Sequence, residues 1–103
     1  MKGHLDLLVL AILRSGPLHG YALVEALRAR SGGVFDLPEG TVYPALYRLE
    51  RAGVLRSGWA AGVGRRRRRV YELTPLGFET LEARTEEWHE LSVGIASVLD
   101  AAS

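Results

Sequence analysis

Gly40-Thr41-Val42-Tyr43-Pro44-Ala45-Leu46-Tyr47-Arg48-Leu49-Glu50-Arg51-Ala52-Gly53-Val54 is the stretch that decides the fold. At about 100° per residue, Val42, Ala45, Leu46, Leu49 and Gly53 share one side. Gly40, Pro44, Tyr47, Arg48 and Arg51 lie opposite, with Thr41 and Tyr43 on the flanks. The spacing predicts an amphipathic helix over roughly Pro38 to Ala52, capped by Gly53. Pro44 in a helix interior costs about 3 kcal/mol, so the regular helix is expected to begin close to it. An apolar stripe backed by arginine and tyrosine is, alone, an ordinary solvated helix. Its neighbours decide what it is for.

Toward the N-terminus, Leu5, Leu8, Val9, Ile12 and Leu13 form the stripe of a first helix, ended by Gly16-Pro17. Leu7 and Leu10 lie off that stripe, which predicts a second packing partner. A second helix runs from about His19 to Arg30, with Tyr21, Leu23, Val24 and Leu27 inward, and Ser31-Gly32-Gly33 stops it. Val34 to Leu37 is expected to be extended before Pro38.

Toward the C-terminus, two strands are predicted at Val54–Ala60 and Arg68–Leu73, with Gly62 and Gly64 in the turn between them. Thr74-Pro75 then opens a helix, threonine as N-cap and proline at its first position. It is expected to reach about Leu99, some 26 residues or about 39 Å. Leu81, Trp88 and Ile95 repeat every seven residues, with Leu91 and Val98 between, a coiled-coil-like seam. A long helix leaving a small head has little of its own chain to pack on, so its expected partner is a second copy. Leu7, Leu10, Leu81, Trp88, Leu91, Ile95 and Val98 are the interface candidates. The fold class is therefore mostly α with a small β-hairpin. Residues 1–73 read as a winged helix-turn-helix and 74–103 as a dimerisation helix.

Charge gives the first functional clue. The net charge of +1 hides an asymmetry: twelve of the thirteen basic residues lie in 1–73 against six acids, and one lies in 74–103 against six acids. A basic head can meet a polyanion while an acidic tail avoids it. Within the head, Arg65 to Arg69 repel one another unless a partner neutralises them, and the phosphates of double-stranded DNA would. Alternation along the second strand would put Arg67, Arg69 and Tyr71 on one face and Arg66, Arg68 and Val70 on the other. On the third helix, Tyr47, Arg48 and Arg51 suit base reading, while Thr41 and Tyr43 suit phosphate contacts.

These residues resemble the PadR family of regulators. The family pattern is glycine-tyrosine in the second helix, here Gly20-Tyr21, then the stretch from Gly40 to Val54 quoted above. Basic residues and Val70-Tyr71-Glu72-Leu73-Thr74-Pro75-Leu76-Gly77 follow. The resemblance covers residues from about 5 to 80. It implies a dimeric repressor on a pseudo-palindromic operator, with Thr41, Tyr43, Pro44, Tyr47, Arg48, Arg51, Arg66, Arg67 and Arg68 toward DNA. It also implies an aromatic pocket at the dimer interface for a small, planar hydrophobic effector, with Trp88 as its marker. The plainer alternative has Trp88 simply packed in the seam. Pro38-Glu39 replaces the serine-proline often found before this glycine and so removes an N-cap hydroxyl. The arginine run is more basic than usual.

Other classes have less support. No apolar run is long enough for a membrane span, and Asp6 breaks the one that resembles a signal peptide, so a cytoplasmic location is expected. The absence of cysteine excludes disulfides and thiolate metal sites. Glu86 and His89 have the spacing used in di-metal bundles, but such sites need further glutamates on other helices. No catalytic arrangement, metal site or cofactor is expected. His19 is expected to pack or cap near the second helix. The alternative from another class is a winged-helix interaction or assembly module that does not read DNA, which would gain nothing from five arginines.

Overall fold

The computed structural model describes residues 2–61 and 67–101, and the side chains of residues 4–60 and 68–100. Its elements are α1 (Lys2–Leu13), β1 (Leu18–His19), α2 (Gly20–Arg30), α3 (Glu39–Arg51), β2 (Leu55–Ala61), β3 (Arg67–Leu73) and α4 (Pro75–Ala101). This is the expected order, with one addition. The hairpin of β2 and β3 gains β1 as a third antiparallel strand, in the order β1-β3-β2, with Leu18 opposite Tyr71 and His19 opposite Val70. Two residues are too few to leave a period in the sequence. Of the segment expected to be extended over residues 34–37, residues 34 and 35 instead continue the turn that follows α2, with Phe35 N–H donating to Ser31 Oγ at 2.9 Å.

The core forms around α1, which packs on α2, α3, α4 and β3 of its own chain. Val9, Leu10 and Leu13 meet Leu23 and Leu27 of α2, Val42, Ala45, Leu46 and Leu49 of α3, and Leu55, Tyr71 and Leu73 of the sheet in one buried cluster. This corrects two interface expectations. Leu10 does have a second packing partner, but the partner is intramolecular and leaves Leu10 0% exposed. Leu81 is also buried, because the first turns of α4 close over the head.

Pro44 lies well inside α3 rather than at its start. The helix runs through it because Pro44 and Gly40 are both on the exposed face, where the forgone Gly40 carbonyl stays open to water. Gly53, with φ 81°, supplies the expected left-handed stop. Thr74 ties the ends of α3 and α4 together: its Oγ1 accepts the Gly77 N–H at 3.0 Å and donates to the Gly53 carbonyl at 2.6 Å. Beyond Leu91, the last residue of its groove with α1, α4 leaves the head. From Glu86 to Asp100 every residue except Ser92 is exposed, and the molecule measures 59 × 28 × 21 Å. Among the described residues, no helix is long and apolar enough to cross a membrane.

Candidate nucleic-acid interface

The outward face of α3 carries Thr41, Pro44, Tyr47 and Arg51, all exposed as expected. The Arg51 guanidinium donates to the Tyr47 hydroxyl at 3.2 Å and lies 5.7 Å from its ring centroid, so the two side chains form one unit. No side chain caps the helix at Pro38, in keeping with the missing hydroxyl. Tyr43 leans on the start of α2. A Cβ at Gly20 would lie 2.6 Å from the tyrosine ring, so any larger residue there would have to displace the ring. Burial raises the Tyr43 hydroxyl above its ordinary pKa, and the Glu39 charge pushes the same way. The glycine of the second helix and the tyrosine of the third are two halves of one contact.

Arg48 departs from the expectation. Its Nη2 donates to Asp6 Oδ1 at 2.5 Å, and Arg84 Nη1 lies 3.9 Å from Asp6 Oδ2. The carboxylate is 14% exposed and joins α1, α3 and α4. On the helical wheel Arg48 lies at the edge of the outward face, from where a long side chain can turn toward a neighbouring element. Asp6 draws it back toward α1, away from the Tyr47–Arg51 face.

The sheet presents one face to α3. Ser57 and Trp59 of β2 stand opposite Tyr71 and Arg69 of β3 in the ladder. Ser57 Oγ donates to Glu50 Oε2 at 2.6 Å and accepts the Arg69 Nε–H at 3.0 Å. Arg69 Nη2 lies 3.7 Å from the same Glu50 oxygen, and its guanidinium lies 5.3 Å from the Trp59 ring centroid. Between α3 and the sheet runs a groove of about 550 Å³ lined by Tyr47, Glu50, Arg51, Arg69 and Tyr71. Burial raises the Tyr71 pKa, with Glu50 and Tyr43 adding to the rise and Arg69 opposing it. The other face carries Arg56, paired with Glu72 at 2.7 Å, and Arg68, 2.9 Å from His19 Nε2. His19 caps α2 as expected, Nδ1 accepting the Ala22 N–H at 3.2 Å. Arg69 and Tyr71 thus share a face and Arg68 takes the other. Of the remaining arginines, Arg65 and Arg66 lie outside the described residues, as does the side chain of Arg67.

The transcriptional regulator PadR-like family matches residues 9–83. The chain belongs to that family. It is similar to a PadR family transcriptional regulator from Eggerthella lenta, at 37% identity and a TM-score of 0.83, over 95% of this chain and 83% of that one. A PadR family transcription regulator from Clostridium difficile R20291 gives 31% and 0.84, over 93% of this chain and 98% of its own. Bacillus subtilis PadR in complex with operator DNA shares the fold at 23% identity and a TM-score of 0.72, over 79% of this chain and 46% of that one. Membership in the PadR-like family makes the protein a transcriptional regulator rather than an enzyme.

The expected assembly residues divide in two in this PadR-like chain. Trp88, Leu91, Ile95 and Val98 are exposed along α4, whereas Leu10 and Leu81 belong to the core. Leu7, half-buried, joins His4, Arg84, Glu87, Trp88 and Leu91 around a groove of about 390 Å³ between α1 and α4. The His4 ring meets Trp88 edge-on, centroids 5.6 Å apart at 81°. The sequence marks Asp6 only as a break in an apolar run, and it does not mark Glu50, Ser57 and Trp59 as interface residues. The period-two alternation of Ser57 and Trp59 with Leu55 was the available signal for the last two.

Proposed function

We propose that this PadR-like protein is a homodimeric repressor that reads a pseudo-palindromic operator. Residues 1–73 bind the duplex and residues 74–103 assemble the dimer. The observation that carries the reading is the joint presentation of Tyr47 and Arg51 on α3 beside Arg69 on the wing, a helix for the major groove and a hairpin for the phosphates next to it. Arg51 reads base edges and Tyr47 braces it. Thr41, Tyr43 and Pro44 border the sugar–phosphate backbone, and Arg66, Arg67 and Arg68 supply phosphate contacts. The DNA-bound relative from Bacillus subtilis supports this use of the fold.

Two copies pair through the exposed seam of Trp88, Leu91, Ile95 and Val98, with Leu7 of α1 at its edge. The pairing sets two recognition helices about 34 Å apart, one helical turn of DNA. The groove at Trp88 opens beside this seam, where a planar hydrophobic effector would alter the spacing. The protein acts in the cytoplasm.

The test is selection of bound duplexes from a random-sequence pool. A two-fold repeated motif is expected to be enriched. Arg51→Ala should weaken enriched sites by about 1–3 kcal/mol while sparing random DNA. A pool that shows no enrichment, with the chain bound instead to another protein, would establish the interaction-module alternative.

A further inference from the structure

Thr74 and Gly77 belong neither to the outward face of α3 nor to the exposed seam of α4, yet a close joint is built around them. At the end of α3, the Gly53 N–H donates to the Glu50 carbonyl at 3.0 Å and the Val54 N–H to the Leu49 carbonyl at 3.2 Å. The carbonyls of the same Gly53 and Val54 then hold the start of α4. The Gly53 oxygen accepts from Thr74 Oγ1 at 2.6 Å, and the Val54 oxygen accepts from the Thr74 N–H at 3.2 Å. Thr74 Oγ1 in turn accepts the Gly77 N–H at 3.0 Å. A Cβ at Gly77 would run into the Val54 carbonyl oxygen, so the first turn of α4 lies directly on the chain leaving α3. A continuous run of directional bonds thus leads from the last turn of α3 to the first turn of α4. The other contacts of α4 with the head are looser in kind. Leu81 is held by apolar burial, which has no direction. Arg84 and Trp88 reach α1 only through long side chains, at 3.9 Å from Asp6 Oδ2 and 5.6 Å between ring centroids with His4.

We infer that the Thr74–Gly77 joint sets the distance between the two recognition helices of the dimer, which makes Thr74 a positioning residue for operator spacing. The inference rests on the dimeric DNA-binding reading above and deepens it. The reason is leverage. From Thr74 to Ile95 in the seam, α4 spans about 32 Å at 1.5 Å per residue. A tilt of about 6° at the base of such an arm moves its far end by about 3.4 Å, the rise of one base pair. Each added base pair also turns the second half-site by about 35° around the duplex, which a fixed joint cannot follow. A joint that let α4 rock and swivel by these amounts would accept neighbouring half-site spacings alike. The angle is held here from both sides. The bonds of Thr74 keep α4 from lifting off the end of α3, and the Val54 carbonyl against Gly77 keeps it from closing further. In this arrangement Thr74 touches neither DNA nor the partner, and it acts through the angle between α3 and α4.

The chain has no cysteine, so Val34→Cys, at a position 75% exposed between α2 and α3, takes one spin label per subunit. Pulsed dipolar spectroscopy of the labelled dimer then reads the distribution of head-to-head distances, which should be a single narrow peak. Thr74→Val keeps the side-chain shape but loses both hydroxyl bonds, and it should broaden the peak by about 3 Å or more. Thr74→Ser should restore the narrow peak. Gly77→Ala, which pushes α4 off Val54, should shift the centre of the peak. Leu27→Val, in the core of α2 away from the joint, controls for mere loss of stability and should lower Tm without broadening. The second readout is affinity for duplexes that carry two copies of the selected half-site, at the preferred spacing or one base pair either side. The intact chain and Thr74→Ser should prefer one spacing by about tenfold or more, since an altered spacing strains both hydroxyl bonds. Thr74→Val should lose most of that preference while binding a single half-site as before. A peak as narrow in Thr74→Val as in the intact chain, or a spacing preference that it keeps, overturns this inference alone. A chain that sediments as a monomer overturns the dimer reading, and a pool without any enriched half-site overturns the DNA reading, each taking this inference with it.

Discussion

Replacing Asp6 with asparagine should lower stability and raise DNA affinity at the same time. The Asp6 carboxylate is 14% exposed and takes the Arg48 guanidinium at 2.5 Å, with Arg84 3.9 Å away. A hydrogen bond to a charged group contributes about 1.5–3 kcal/mol. Arg48 is 44% exposed, so water recovers part of that in the variant. Asparagine also leaves Arg48 and Arg84 facing each other without the anion between them. The two effects together give a loss of about 2 kcal/mol, and a chain of this size loses roughly 4–8 °C in Tm for each kcal/mol. Thermal unfolding at fixed protein concentration is the first assay, since the proposed dimerisation would make Tm concentration-dependent. Affinity for a random-sequence duplex across salt concentrations is the second. Released from Asp6, Arg48 can reach a phosphate, and the salt slope should steepen by about 0.9. Loss of one negative charge would by itself tighten binding, so the Asp6→Asn, Arg48→Ala double variant is the control. If it keeps the steeper slope, Arg48 is not the cation released and the reasoning fails. If Asp6→Asn alone melts like the intact chain, the carboxylate does not hold the three helices together.

Gly20→Ala places a methyl 2.6 Å from the Tyr43 ring and should both destabilise the chain and displace that ring from the start of α2. Adding Tyr43→Ala should recover part of the lost Tm, and fully additive losses would mean the two residues do not meet. Ile95→Glu with Val98→Glu should give a folded monomer by analytical ultracentrifugation and weaken two-half-site operators far more than single half-sites. These positions suit the test because both are exposed, whereas cutting the chain after Leu76 would also remove Leu81 from the core. An intact chain that is already monomeric at micromolar concentration would end the dimer proposal.

The stretch from Gly40 to Val54 determined the third helix and its buried face by itself, because a stripe of Val42, Ala45, Leu46 and Leu49 matches a 3.6-residue period. The hairpin, the Thr74 cap, the Gly53 stop and the capping histidine were legible for the same reason: each depends on residues a few positions apart. Contacts across the fold were not legible. Whether the apolar excess of α1 faced its own chain or another depended on how α2, α3 and α4 close around it, and that closure buried Leu10 and Leu81 while leaving Trp88, Leu91, Ile95 and Val98 outside. The direction taken by Arg48 depended on a carboxylate forty-two residues away. The groove of Tyr47, Glu50, Arg51, Arg69 and Tyr71, with Ser57 joining Glu50 to Arg69, exists only when the ladder register sets Ser57 against Tyr71 and the sheet packs beside α3. Local periodicity fixes which face a residue occupies on its own element, but long side chains choose partners among elements that meet only after folding.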